Sequence, residues 1–406
     1  MKRLIPIGAA LLAAAPAAAQ VDLHGFVEGA WGARTARSSV HDGSQDWTLQ
    51  EARAQLRFSA YGDLGEAFVR ADLVNDALDD PQTYIELREG YLRFTTGADH
   101  LDVKAGRQAL TWGTGDLVFV NDLFPKDWES FFVGRETAYL KAPSDALRLS
   151  LYGLPAEIEL VVTPRFTPDR VPVPGGRFSV TDPPGVEFPA QEPANTLENS
   201  ELAARFARTL GSIETAGYLY RGFHKTPVGV EPDGTGTFRP FHPELSVYGA
   251  SLRGPAAGGL AWAEAGWYDS RQDRAGTDPM IENSTMRYFA GYERQVATDF
   301  NATLQYYGEW LQHHDLAAPG TDEYYHLLTL RLEKLALYQT LRLSLFSFWS
   351  PTDEDAYLRP IVAYNLSDDV KVTFGGNVFL AGKEGRGTFG PFEQDDNVYV
   401  RLRASF

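Results

Sequence analysis

"NVYVRLRASF", residues Asn397 to Phe406, is the stretch on which the fold turns. Val398, Val400, Leu402, Ala404 and Phe406 alternate with Tyr399, Arg401, Arg403 and Ser405. Successive side chains of a strand point to opposite faces, so this period of two reads as a strand with one apolar and one charged face. An edge strand of a soluble sheet could carry the same pattern, so the rest of the chain has to decide.

The alternation recurs upstream. In "EARAQLRFSA" Ala52, Ala54, Leu56, Phe58 and Ala60 oppose Glu51, Arg53, Gln55, Arg57 and Ser59. "SELAARFART", "AWAEAGWYDS" and "YQTLRLSLFS" behave alike. Eighteen candidate strands begin near residues 21, 50, 66, 83, 100, 146, 156, 200, 212, 244, 258, 285, 301, 324, 338, 356, 369 and 396. Their connections alternate in length. Tight ones such as "GDLGE", "TLGS", "GPAAGG" and "LSDD" are followed by long or polar ones at 35–49, 76–82, 108–145, 167–199, 223–243, 270–284, 312–323, 350–355 and 382–395. A soluble sandwich has no reason to keep its long loops on one side. Short periplasmic turns and long extracellular loops are the habit of transmembrane barrels. The expected fold is therefore all-β: a transmembrane up-and-down antiparallel β-barrel of about eighteen strands. Sixteen is the alternative, because the strands near 146 and 338 are weakly bounded.

Composition agrees. Lys2 and Arg3, an apolar run from Leu4 to Ala15 and Ala17-Ala18-Ala19 read as a secretory signal peptide over residues 1–19, leaving 20–406 as one barrel domain. The chain has no Cys, which removes disulfides, thiolate chemistry and Cys-based metal sites. Its formal net charge of −17, −19 without Lys2 and Arg3, argues against nucleic acid. No window past residue 19 is apolar for eighteen residues, so transmembrane helices are excluded.

In lipid every backbone polar group must be paired internally, so a spanning sheet closes on itself. Its outside is apolar, with aromatics at the rims; Trp31, Trp267, Tyr288, Tyr306, Trp310 and Phe406 suit that place. The same parity sends Arg53, Arg57, Arg70, Arg148, Arg205, Arg253, Arg287, Arg342, Arg359, Lys371, Arg401 and Arg403 to the lumen, against Glu51, Asp72, Glu159, Glu201, Glu264, Glu293, Glu309 and Glu333. Two compatible readings follow. Arg and Glu can pair across strands and stiffen the wall. The basic excess can also draw anionic solutes through the pore. A barrel of sixteen to eighteen strands would leave a wide aqueous channel unless something narrows it.

The third long connection, 108–145, suits that task. It contains "LTWGTGDLVFVNDLFPKDW", Leu110 to Trp128. Phe119, Val120, Leu123, Phe124, Phe131 and Phe132 can pack it on the inner wall, with turns at Gly113, Gly115 and Pro125. Trp112, Asp116, Asp122, Lys126, Asp127, Glu129 and Arg135 are then the expected constriction residues. "GTG" lacks both the βαβ setting of a dinucleotide fold and the Lys of a phosphate-binding loop. A carboxylate pair such as Asp116 and Asp122 could hold Ca²⁺ or act as acid and base, but loop carboxylates are more often solvated or paired with Arg.

"ELREGYLRF", "GRQALTWGTGD", "NDLFPKDW", "AEAGWYDS" and "YGEW" resemble a broad family of porin-like outer-membrane proteins of Gram-negative bacteria, which share a GRQ…WG…D signature leading into a long loop. A strand that ends in Phe406 also resembles the last strand of bacterial outer-membrane barrels, which carries the signal for the barrel assembly machinery. The resemblance implies an outer-membrane location and a transport-like role.

The expected function is passive diffusion of small solutes, with a weak preference for anions. The alternatives are a barrel sheath around an electron carrier or exported polymer, and an outer-membrane enzyme, for which no Ser–His pair stands out. No cofactor motif is present. Outer-membrane lipid and lipopolysaccharide are the expected surroundings, and Arg107, of outward parity, could meet a lipopolysaccharide phosphate or simply snorkel. His313-His314-Asp315 lacks a further ligand at metal spacing.

Overall fold

The computed structural model describes residues 20–36, 46–63, 65–96, 100–178, 180, 185–234, 236–318, 320–382 and 387–406. The expected signal peptide, 1–19, lies outside the described residues.

The first nine strands are β1 (Gln20–Arg34), β2 (Trp47–Gly62), β3 (Gly65–Asp76), β4 (Thr83–Thr96), β5 (Leu101–Ala109), β6 (Pro143–Leu151), β7 (Glu157–Thr163), β8 (Glu201–Leu210) and β9 (Ile213–Phe223). Two short strands, β10 (Gly229–Pro232) and β11 (Phe238–Phe241), form a separate hairpin in the next loop. The wall resumes with β12 (Glu244–Ala256), β13 (Gly259–Ser270), β14 (Thr285–Ala297), β15 (Phe300–Leu311), β16 (Tyr324–Ala336), β17 (Leu341–Trp349), β18 (Ala356–Asn365), β19 (Val370–Leu380) and β20 (Asn397–Ser405). Each wall strand is antiparallel to its neighbours, and β20 returns to β1, giving a closed barrel of eighteen strands. At the seam Phe406 N donates to Gly25 O at 3.0 Å and Gly25 N to Phe406 O at 2.9 Å. Closure leaves no edge for water or another chain to pair with.

Eighteen is thus the strand number, and sixteen is set aside. Several boundaries move, β2 beginning at Trp47 rather than 50. β6 begins at Pro143 rather than 146, because the first strand position needs no ladder N–H. β17 begins at Leu341 rather than 338, because Leu337, Tyr338 and Gln339 take φ of 51°, 56° and 67°, which turn the chain. The third long loop shortens to 110–142, because Gln108 and Ala109 still pair with Ser144 and Pro143. Among the tight turns, Ala257 and Gly258 alone join β12 to β13, with φ of 47° and 75°, the left-handed pair that matches the twist of a two-residue hairpin.

Outward side chains such as Leu23, Val27, Leu56, Leu73, Leu160, Leu202, Leu252, Leu304 and Leu402 are exposed. So are the rim aromatics Trp31, Trp267, Tyr306, Trp310 and Phe406. An apolar belt on this scale is unfavourable in water and suits lipid. The core lies inside the barrel. Wall residues Phe289, Phe346, Phe348, Tyr357 and Phe379 pack on Val120, Phe131, Phe132, Val133 and Leu140 of the third loop, with Phe178 of the fourth. Burying a side chain the size of Phe131 contributes about 1.5–3 kcal/mol. This departs from the expected polar lumen: the inner wall is polar toward the short turns and aromatic toward the long loops.

Candidate functional site: a loop across the lumen

The third loop touches the wall all around its circumference. Its first turn is clasped by Glu264 on β13. Thr114 N and Oγ1 both donate to Glu264 Oε1, the latter at 2.9 Å. Asn121 N and Nδ2 donate to Oε2 at 3.1 and 2.9 Å. Gly113 sits at φ 83°, and a Cβ there would lie 2.9 Å from Glu264 Oε1, so the turn needs glycine twice over. Asp116 then meets β15 and β16. Its N–H donates to Gln305 Oε1 and its carbonyl accepts from Gln305 Nε2, both at 2.8 Å, while Arg331 Nη2 donates to its carboxylate at 2.7 Å.

The remaining expected constriction residues are engaged with the barrel wall, the fourth loop or the third loop itself. Trp112 Nε1 donates to Glu159 on β7. Asp122 is buried; Lys126 Nζ lies 3.0 Å from it, Thr111 Oγ1 donates at 2.7 Å, and Lys141 Nζ closes the cluster. Burial alone pushes the Asp122 carboxyl up, but Lys126 and Lys141 reverse this and hold it below the ordinary carboxylate range. Asp127 caps the short helix α1 (Trp128–Phe132) by accepting from Ser130 N at 2.8 Å, and it meets Arg170 at 3.3 Å. Glu129 pairs with Arg177 of the fourth loop at 2.9 Å, and burial still raises its carboxyl above the ordinary value. Arg135 joins Glu51 at 2.6 Å and Asp76 at 3.1 Å. Asp116 and Asp122 thus have separate cationic partners and form no joint site.

Of the eleven Arg residues expected on the pore wall, eight pair with carboxylates, Arg70 with Glu89 at 2.9 Å. Arg53 bonds Glu51 at 2.7 Å and also reaches Asp72. Arg148 pairs with Glu159, Arg205 with Glu157 and Arg287 with Glu282 and Glu309. Arg342 pairs with Glu333, and Arg401 and Arg403 converge on Glu28. Arg359 lies over the Phe131 ring and donates to Arg135 O at 2.9 Å. Arg57 is exposed and has no ion pair among the described residues. Among the cations that escaped the sequence reading are Arg331, Arg88 and Arg177. Arg331 could have been found, because Leu328, Leu330 and Leu332 alternate with Thr329, Arg331 and Glu333. Arg88 sits at a register shift in β4 that breaks the parity. Arg177 lies in an aperiodic loop and carries no such signal.

Glu136 docks the end of the loop on the wall: Lys371 Nζ lies 2.8 Å from Oε1 and Arg403 Nη1 2.7 Å from Oε2. Burial pushes its carboxyl up, yet Arg403 and Lys371 outweigh burial and bring it from 4.5 to about 2. A depressed carboxylate pKa adds stability above the unfolded value, and that stability is lost as pH falls through the folded value. Docking at Glu136 should therefore be complete above pH 4.5 and lost between pH 4.5 and about 2. Hydrogen exchange at 133–141 across that window reads it, with Glu136→Gln losing the pH response. Release that starts above pH 5 in the native chain would place the trigger elsewhere.

The loop leaves a chamber on each side. The one toward the short turns has a volume of about 730 Å³ and is bordered by Trp112, Arg148, Arg205, Arg253, Glu157 and Ser251. The one toward the long loops has about 450 Å³ and is bordered by Phe124, Trp128, Tyr268, Tyr307, Phe348 and Phe389, among others. Trp112 of the first meets Phe124 of the second edge-on, ring centres 5.0 Å apart. Outside the chambers, Arg107 donates to Leu87 O at 2.7 Å and pairs with Asp145. His314 Nε2 lies 2.8 Å from Thr321 O, and the described residues hold no cluster of three or more metal-ligating side chains.

No protein-family model matches the chain, and no curated protein sequence matches it. Solved structures do. OccK2 of Pseudomonas aeruginosa, in complex with glucuronate, is 9% identical with a TM-score of 0.57, over 95% of this chain and 97% of its own. OccK5 of the same organism is 10% identical, TM-score 0.56, over 95% and 97%. OccAB3 of Acinetobacter baumannii is 8% identical, TM-score 0.56, over 95% and 99%. These are outer-membrane β-barrel porins. At such identities the likeness is one of fold: the chain shares the closed barrel of outer-membrane porins along nearly its whole length.

Proposed function

We propose that the protein is an outer-membrane channel for passive diffusion of small solutes, with a weak preference for anionic ones. The carrying observation is a closed barrel with a chamber on each side of the third loop, Phe124 bordering one and Trp112 the other, their ring centres 5.0 Å apart. A sheath around a partner would need a vacant lumen, and the loop 110–142 occupies this one. Purified protein in planar bilayers should give discrete conductance steps; their absence sinks the reading.

The anion preference rests on the polar half of the lumen. Arg57 and Arg253 have inward parity, are exposed and have no ion pair among the described residues. Charges lining a pore set its selectivity. In a salt gradient the reversal potential should report an anion preference of roughly two to one. Replacing Arg57 and Arg253 together by Glu should reverse its sign. Cation preference in the native chain would remove this part of the proposal and leave the channel.

A further inference from the structure

We propose that the chamber toward the long loops is a binding site for an uncharged aromatic solute. Twelve of its twenty-eight bordering residues are Phe, Tyr or Trp. Side chains that merely fill a core close on one another and leave few voids larger than a water molecule. Here they stand around about 450 Å³, within the range of small-molecule pockets. Apolar surface facing water is unfavourable, and an apolar solute that displaces the water removes that cost. Ring faces and edges offer a flat ring offset-stacked or edge-on contacts.

The charged groups around the chamber already have counter-charges, although Arg287 Nε has no hydrogen-bond partner among the described residues. Lys126 pairs with Asp122 at 3.0 Å, Lys225 with Glu201 at 2.6 Å and Arg287 with Glu309 at 3.7 Å. Asp169 accepts from Lys126 N at 2.7 Å. Tyr268 OH donates to Val120 O at 2.5 Å, and Tyr307 OH donates to Glu309. Burial, helped by Arg287, pushes the His224 ring down to about 3, so it is neutral at physiological pH. A charged solute would lose its hydration and gain no unpaired counter-charge. The chamber opens outward between Val171, Pro172, Thr226 and the exposed Thr388.

This inference rests on the channel reading for the route the solute takes, and on the chamber alone for binding. The two are tested separately. Full-length protein in detergent is dialysed to equilibrium against 1-naphthol, with protein-free micelles at equal detergent as the blank. Saturable uptake above the blank is expected. 1-Naphthalenesulfonate, the same ring with a permanent charge, should bind about tenfold more weakly or worse. Val171→Trp places a ring into the chamber from a loop outside the barrel wall and should weaken naphthol binding about tenfold. Thr388→Trp does the same from the opposite rim, so a folding defect in one variant leaves the other. No uptake above the blank, equal binding of the sulfonate, or binding untouched in both folded variants overturns the proposal. Conductance steps without naphthol binding leave the channel and remove the site; binding without steps does the reverse.

Discussion

Deleting residues 114–135 is expected to raise single-channel conductance about threefold or more and to blur ion selectivity, because an eighteen-stranded barrel without a plug is an aqueous channel. The barrel should survive. Its closure depends on the ladder between neighbouring strands and on the β1–β20 seam, neither of which uses the loop. The wall groups left behind, Glu264, Arg331 and Glu51, would face water in the opened lumen and so be hydrated rather than stranded. The deletion also removes Phe124, which meets Trp112 edge-on. Trp112→Ala is the finer test, since it should join the two chambers while the rest of the loop stays docked. A shift of the unheated band on gels serves as the check on folding. Unchanged conductance from a folded deletion variant would mean that the loop is not the barrier.

The second large effect is expected at Arg135. Its guanidinium reaches Glu51 through Nε and Nη2, at 2.9 and 2.6 Å, Asp76 at 3.1 Å and Ser130 Oγ at 3.0 Å. All of this is buried. Removing one partner of a buried ionic cluster costs about 3–5 kcal/mol, because the charge left behind is uncompensated. Arg53 still bonds Glu51 and Arg177 still bonds Asp76, so the lower end of that range applies to Arg135→Met. Hydrogen exchange should quicken across 128–140 while the wall strands stay protected. Arg135→Lys should recover only part of the loss, since Lys lacks the planar fork that holds Glu51 and Asp76 together. Adding Glu51→Gln to Arg135→Met should also recover part of it, as coupled neighbours do. Loss of protection in the wall strands would show instead that Arg135 stabilises the barrel itself.

The wall could be read residue by residue because its pattern is local. A strand in lipid must put apolar side chains outward, so "NVYVRLRASF" and its counterparts declare their faces with a period of two. Turns that must be tight contrast with loops that are free to be long, and this pointed to about eighteen strands in order, with sixteen as the alternative until the closed barrel decided it. The exceptions are also local. Three left-handed residues at 337–339 delay β17, and a register shift next to Arg88 hides an inward cation.

The lumen follows a different rule. Whether an inward group meets water, a loop or another chamber wall depends on how the loops fill the space, and no period records that. Phe346 and Phe348 share the parity of Arg342 and Ser344, and in the structure the third loop packs on them. Asp122, Asp127, Glu129 and Arg135 read as groups for a solute, and in the structure they bind one another's neighbours. Glu264 reads as one lumen acid among eight, and in the structure it clasps a turn more than 140 residues upstream in the chain. The sequence by itself determined the barrel, its strand order and which side chains point inward, because each follows from neighbours one or two residues apart. Only the tertiary structure decided which inward charges are already paired, and where the aromatic chamber lies. Those outcomes depend on distances between residues far apart in the chain, set when the loop folds across the lumen.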